Sequence, residues 1–293
     1  MHHVTSVPQH AGTRNSPAAK TLTGLCVVGL GALTACSGVA SDAVSSDATG
    51  SAATAEATQT ETSAPQTSES SEPQEEAKVE DLPSLDSEQM MDALISPSDL
   101  PEVPEGHSTH SGTDYFHQEI AVEFQDYRDR FGTSECTTTM DSINVDLVDE
   151  GAQDGLMYIY SFPHSDGDQR SGVLYAWMLS YDRPINTAPV WSDVGEHCSG
   201  SQLQNGADSV DVTTFDAGDF TGVQLGIHRE SDDRAEDFTT FSASVDAGEN
   251  LVMMSSVGLG EERFREVVQT QQQKLEQLSQ DQLTQDQEDQ AQD

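Results

Sequence analysis

Apolar residues recur along this chain at two periods. Residues 156–162 and 173–181 are almost continuously apolar or aromatic, as expected of strands buried on both faces. The stretch between them, 163–172, is rich in Ser, Asp and Gly, so the two strands read as a hairpin. Four more strands are expected at 209–215, 222–229, 237–245 and 250–257. A further one is expected at 117–124, where Ile120, Val122 and Phe124 alternate with polar neighbours. Helical spacing appears at 86–95, closed by the turn formers Ser96, Pro97, Ser98, Asp99, Leu100 and Pro101. Thr133 or Ser134 is placed to cap a helix carrying Cys136, Met140 and Ile143. A third helix is expected over 186–198, interrupted early by Pro189 and ending near Gly195. After Gly258, Leu259 and Gly260 break the pattern, Glu261 and Glu262 open a helix with Phe264, Val267 and Val268 on one face and acid at its positive end. The fold class that follows is α+β, an antiparallel sheet backed by helices.

The flanks behave differently. The chain has 293 residues, and every Phe, Tyr and Trp lies between Tyr115 and Phe264. Residues 36–85 are rich in Ser, Thr, Ala, Gln and Glu. Such a segment buries too little apolar surface to offset its ordering entropy and is expected to be a disordered linker. As a flexible coil it spans about 35–40 Å, and its glutamates repel anionic headgroups. Residues 269–293 form an acidic Gln/Asp-rich tail punctuated by Leu275, Leu278 and Leu283, expected as a fraying helical extension that runs into disorder. The domain boundaries on this reading are 86 and 268.

The first 35 residues read as an export signal. Arg14 and Lys20 precede an apolar run over 21–35, and no acid occurs before Asp42. That run is short for a membrane span and normal for a signal core. It closes on Leu33, Thr34, Ala35 and Cys36, followed by Ser37 and Gly38, which resembles the lipobox of bacterial lipoproteins. The resemblance implies diacylglyceryl attachment at Cys36, a mature chain beginning there, and anchoring on the extracytoplasmic face of the cell membrane. Removing Cys26 with the signal and lipidating Cys36 leaves Cys136 and Cys198, an even pair expected to form one disulfide in an oxidising compartment. The chain carries 12 Lys and Arg against 52 Asp and Glu, a formal charge of -40. That balance excludes a nucleic-acid groove-binder, whose affinity comes from clustered cations releasing counterions.

Two stretches carry a family resemblance: Asp92 to Pro101 through Ala93, Leu94, Ile95 and the Ser96-Pro97-Ser98-Asp99-Leu100 turn, and the Cys136 helix paired with Trp191 and Cys198 on a second helix. They resemble the extracellular sensor-type domain of actinobacterial lipoproteins and PknH-like receptor kinases. The resemblance implies an α+β domain, disulfides and a cleft for an unidentified ligand. The kinase sensors carry two disulfides where one is possible here, and no kinase domain is present. A binding role therefore transfers, and signalling across the membrane does not.

Candidate ligand-binding residues come from the hairpin. Tyr158, Tyr160 and Phe162 share one face of its first strand, and Tyr175, Trp177 and Tyr181 share one face of the second. With Met157, Ile159, Leu174, Ala176 and Met178 opposite, helices would cover the aliphatic side and leave a tyrosine-rich wall for an envelope lipid or glycan. Filling of the core is the plain alternative. His107, His110 and His117 lack a fixed third ligand geometry, and the acids at Asp146, Asp149, Glu150 and Asp154, at Asp166 and Asp168, and at Asp232 and Asp233 match no EF-hand spacing. No metal or cofactor is expected. No nucleophile elbow, Walker loop or paired His-Glu helix occurs, and His164, Ser165 and Asp166 are neighbours that rarely converge in space. The expected function is a monomeric, lipid-anchored, non-catalytic binding or sensor-like domain, with a scaffold lipoprotein and a cryptic hydrolase as alternatives. Cys36→Ala should release the protein from membranes or leave it as uncleaved precursor. Detergent partitioning at wild-type size would disprove lipidation at this site.

Overall fold

The computed structural model describes residues 78–121, 125–148, 151–164, 171–231 and 234–290. The signal, Cys36 and nearly all of the expected linker lie outside these. Eight strands form one antiparallel sheet: β1 (Gly106–Ser111), β2 (Asp154–His164), β3 (Ser171–Ser180), β4 (Ser201–Asn205), β5 (Asp208–Ala217), β6 (Phe220–Ser231), β7 (Arg234–Ala247) and β8 (Asn250–Val257), in the order β1-β2-β3-β8-β7-β6-β5-β4. The helices are α1 (Ser87–Ala93), α2 (Thr113–Tyr115), α3 (Asp126–Phe131), α4 (Glu135–Leu147), α5 (Ala188–Cys198) and α6 (Glu261–Gln290). Helix α5 carries the chain from β3 to the far edge, and a meander from β4 returns it until β8 lies beside β3. Among the described residues no helix is long and apolar enough to cross a membrane.

The strand period of two puts a core on each face of the sheet. Leu156, Tyr160, Leu174, Met178, Phe241 and Met254 face α1 and α6 in the first core. Met157, Trp177, Leu179, Val212, Leu225 and Met253 face α3, α4 and α5 in the second. Strand β8 is buried at seven successive positions, which explains why it reads as a continuous apolar run. Helix α4 starts with a capping box between Ser134 and Thr137, and α1 with one between Asp86 and Gln89. Cys136 on α4 and Cys198 on α5 form the disulfide. Closing a loop of 62 residues stabilises the fold by about 4 kcal/mol in the chain-entropy account.

Several expectations are corrected. Of the strand expected at 117–124, residues 122–124, with Val122 and Phe124, lie outside the described residues; residues 117–120 belong instead to a π-helical turn, Phe116–Ile120, whose Phe116 and Ile120, four apart, are both buried. The edge strand β1 comes from the histidine-bearing segment, whose polar sequence gives no strand signal and whose order comes from backbone pairing with β2. Pro189 sits in the first turn of α5, where its missing N–H costs nothing, and Gly195 lies inside the helix. The short edge strand β4 was not anticipated.

Residues on either side of 86–268 also pack against the sheet. Leu82 and Leu85 are buried in the first core, and the Leu82 carbonyl accepts from Glu249 N–H at 2.9 Å. Asn250, fully buried, accepts from Leu85 N–H at 3.0 Å and donates to the Pro83 carbonyl at 2.7 Å. Gly248 is required here, because its φ is +62° and a Cβ would lie 2.1 Å from the Leu82 carbonyl oxygen. At the other end, the helical extension expected beyond Val268 is present, and its first turns are docked: Gln271, Leu275 and Ser279 are buried. Gln271 accepts from Ile95 N–H at 2.9 Å and donates to the Ala93 carbonyl at 2.8 Å. Lys274 donates to the Leu94 carbonyl and to Asp99, and Ser279 to the Lys78 carbonyl at 2.9 Å. Gln271→Ala should cost about 1–3 kcal/mol, since it strands a buried donor and a buried acceptor, whereas exposed Gln273→Ala should stay within about 0.5 kcal/mol. Urea unfolding checks both, and equal midpoints for the two variants would refute the clamp.

Candidate functional site

The register of β2 against β3 splits the expected aromatic wall. Tyr158 pairs with Ala176 and Tyr160 with Leu174, while Tyr175 pairs with Ile159 and Trp177 with Met157. Cross-strand partners share a face, so Tyr158 and Tyr160 lie on the first face and Tyr175 and Trp177 on the second. Tyr160 is fully buried and donates to the Ile95 carbonyl at 2.7 Å. Trp177 is fully buried against Phe116, ring centroids 5.6 Å apart, and Tyr175 is nearly so. Burial pushes the Tyr160 hydroxyl far above the ordinary tyrosine value and raises that of Tyr158, to which the Asp92 charge adds. Of the four, Tyr158 alone is half-buried, beside Tyr160. The hairpin aromatics fill two cores and form no shared wall.

The other sequence candidates do not converge. His107 and His110 are three apart on β1 and point to opposite faces, and His110 stacks on Tyr115 at 4.2 Å. Among the described residues no three His, Cys, Asp or Glu side chains are grouped to hold a metal. Asp149, Glu150, Ser165, Asp166, Asp168, Asp232 and Asp233 lie outside the described residues.

A cleft exists elsewhere, at the end of β5, β6 and β7. On β6, Val223, Leu225 and Ile227 belong to the second core, which leaves Gly226 and His228 on the first face. There α6 begins too late to cover them: its first core side chain, Phe264, sits on Phe215 and Phe241, with centroids 5.3 and 4.9 Å away. The uncovered residues Asp211, Gly226, His228, Asp237 and Thr239, with Gly258, Leu259 and Gly260 leading into α6, line a cavity of about 410 Å³. Asp211, Gly226 and Thr239 stand abreast on three strands. A Cβ on Gly226 would meet Asp211 only at 3.7 Å, so the glycine gives the cleft an open floor. Asp211 accepts from Gln202 through Oδ1 at 2.8 Å. His228 and Asp237 pair directly across the strands and share a hydrogen bond.

That hydrogen bond is the main reason the imidazole is held above the ordinary histidine value; slight burial opposes it, and the charges of Asp237, Glu230 and Asp208 reinforce it. Asp208 in turn is held low by the Glu230 N–H and by Arg130. Ser209 lies opposite His228 on β5, so Ser209, His228 and Asp237 form one row across three strands. The composition is that of a hydrolytic triad but the setting is not. The His228 and Asp237 side chains are 43% and 80% exposed, and a triad carboxylate works from a buried position that fixes the imidazole and stabilises its charge. Nothing in the hydrophobic pattern marked this cleft. The available signal was a glycine and a histidine at the outward positions of a strand whose inward positions are all aliphatic.

No protein-family model and no curated protein matches the chain. Among solved structures it is similar to the extracellular domain of PknH from Mycobacterium tuberculosis, at 11% identity and a TM-score of 0.39, covering 66% of this chain and 98% of that one. It is also similar to the Rv0999 ortholog of Mycobacterium smegmatis, at 14% identity and a TM-score of 0.31, covering 69% and 98%. At such identities the fold and the cleft rest on the chain's own residues.

The raised value of His228 fixes a sign. The pair's contribution is complete below the ordinary histidine value and is lost as pH rises through the raised one. An NMR titration of the His228 ring should give a midpoint above 6.5, and Asp237→Asn should bring it down. A wild-type midpoint at or below the ordinary value would mean that the pair does not form in solution.

Proposed function

We propose that this chain is a non-catalytic extracytoplasmic binding domain, tethered through lipid on Cys36, and that its ligand enters the cleft over Gly226. The observation that carries this reading is the cavity itself: a rigid, twisted sheet presents fixed polar side chains around a bare glycine, where a covering helix would otherwise lie. Rigid strands hold such groups more precisely than loops do. A disulfide between Cys136 and Cys198 suits an oxidising compartment, in keeping with the export signal.

The position of the cleft also suits display from a membrane. The chain enters the described domain at Lys78, bonded to Ser279. Gly260, on the rim of the cleft, lies just before the start of α6. About 27 Å of helix separates Ser279 from that end, so the opening lies at the end of the domain remote from the tether.

Native mass spectrometry of the full chain, extracted from its own envelope in detergent, tests the reading. Wild type should carry a co-purified ligand, and Gly226→Val, which fills the floor, should lose it. A bare wild type, or a ligand retained by Gly226→Val, would overturn the assignment.

A further inference from the structure

We infer that the cleft over Gly226 takes a neutral, hydroxyl-rich ring, that is, a saccharide residue; this rests on the cleft being the binding site. Three observations select that class. The first is a lining that mixes polar groups with little open apolar surface. Ile227, Phe238 and Leu259 line the cleft, but Ile227 and Leu259 are only 6% and 3% exposed and Phe238, half-buried, packs against the second core. An acyl chain entering here would lie on carboxylates, an imidazole and peptide groups, leaving them desolvated without partners.

The second is charge. Asp211 and Asp237 supply two carboxylates to the cleft, and the imidazole of His228 is already engaged by Asp237. Beyond the rim, Glu230 and Asp208 act on His228 as further negative charges, while the nearby Arg130 is bound to Asp208 and Arg229 also acts on Asp208. A phosphate or carboxylate would therefore meet net repulsion from these carboxylates.

The third is the spacing of acceptors and donors. Asp211 and Thr239 flank Gly226 on the two neighbouring strands, about 10 Å apart, which leaves room for one ring lying flat on the exposed peptide of β6. Asp211 Oδ1 is taken by Gln202, and Oδ2, which lies 4.0 Å from where a Gly226 Cβ would stand, faces that space and can accept from a ring hydroxyl. The Thr239 hydroxyl can donate or accept on the far side. The single hydrogen bond to Asp211 Oδ2 is a strong one because its acceptor is charged.

Saturation-transfer NMR on the full chain in detergent, at millimolar ligand, tests this with neutral gluco-, manno- and galacto-oligosaccharides, methyl phosphate and spermidine as separate probes. At least one neutral saccharide should give transfer, and phosphate should give none. Asp211→Asn should weaken that saccharide about tenfold or more, the cost of one charge-assisted hydrogen bond. Gly226→Val should abolish transfer. Gly226→Ala, whose Cβ makes only ordinary contact, should keep the wild-type unfolding midpoint while weakening the saccharide, which separates blockage from misfolding. Transfer from phosphate or from spermidine without any saccharide, silence from every saccharide, or saccharide transfer indifferent to position 226 would each overturn the inference. If the mass-spectrometric ligand is real and lost in Gly226→Val but is not a saccharide, the cleft stands and only the ligand class falls.

Discussion

A sheet that is apolar on both sides has to be roofed twice, and this requirement organises the molecule. Strands β3 and β8 lie in the middle of the sheet, where Leu174 and Trp177, or Val252 and Met253, face opposite ways and are all fully buried. One roof comes from α3, α4 and α5, two of which the Cys136–Cys198 disulfide ties together. The other is assembled from opposite ends of the chain, α1 with the segment before it and α6. Neither could hold alone. A seven-residue helix such as α1 is below the length at which isolated helices persist, and α6 carries its apolar side chains in a narrow stripe flanked by glutamines.

The polar residues of α6 therefore have structural work. Gln271, Lys274 and Ser279 take up backbone groups of residues 78–95 that would otherwise be orphaned under the roof. Arg263 over Phe162 and Arg265 over Phe215 extend the same seal with their guanidinium faces. Among the described residues Arg128 on α3 pairs with buried Asp141 on α4, and Arg263 and Lys274 on α6 pair with Glu102 and Asp99, so these cations fix elements to one another.

Much of this was legible from residue spacing. The hairpin of β2 and β3, the four strands from β5 to β8, the Ser134-capped helix and the disulfide all follow from periodicity, capping chemistry and cysteine count. What could not be read was register and polar docking. Period-two alternation shows that Tyr158 and Trp177 each face a core, but only the pairing of Tyr158 with Ala176 shows that the two cores are different. Strand β1 has no apolar signal because its order is borrowed from β2. Gln271 looks like any other glutamine in a glutamine-rich helix until its two backbone partners, 176 and 178 residues away, are known. The cleft escaped notice for the same reason: it is defined by where a helix starts relative to a glycine, a distance that no linear pattern encodes.

The strap at residues 82–86 has a mechanical consequence. Tension arriving along the polypeptide from the N-terminal side passes into this segment after the Lys78 contact with Ser279, and the segment is held by side-chain bonds to Asn250 and Glu249 and one backbone bond from Glu249 to Leu82, not by a ladder of sheet pairing. Such a joint yields by peeling a few contacts in turn, while the eight strands, sheared by nothing, keep their shape. Pulling from that side would then be absorbed in a sacrificial hem, and the far end of the molecule would stay in shape.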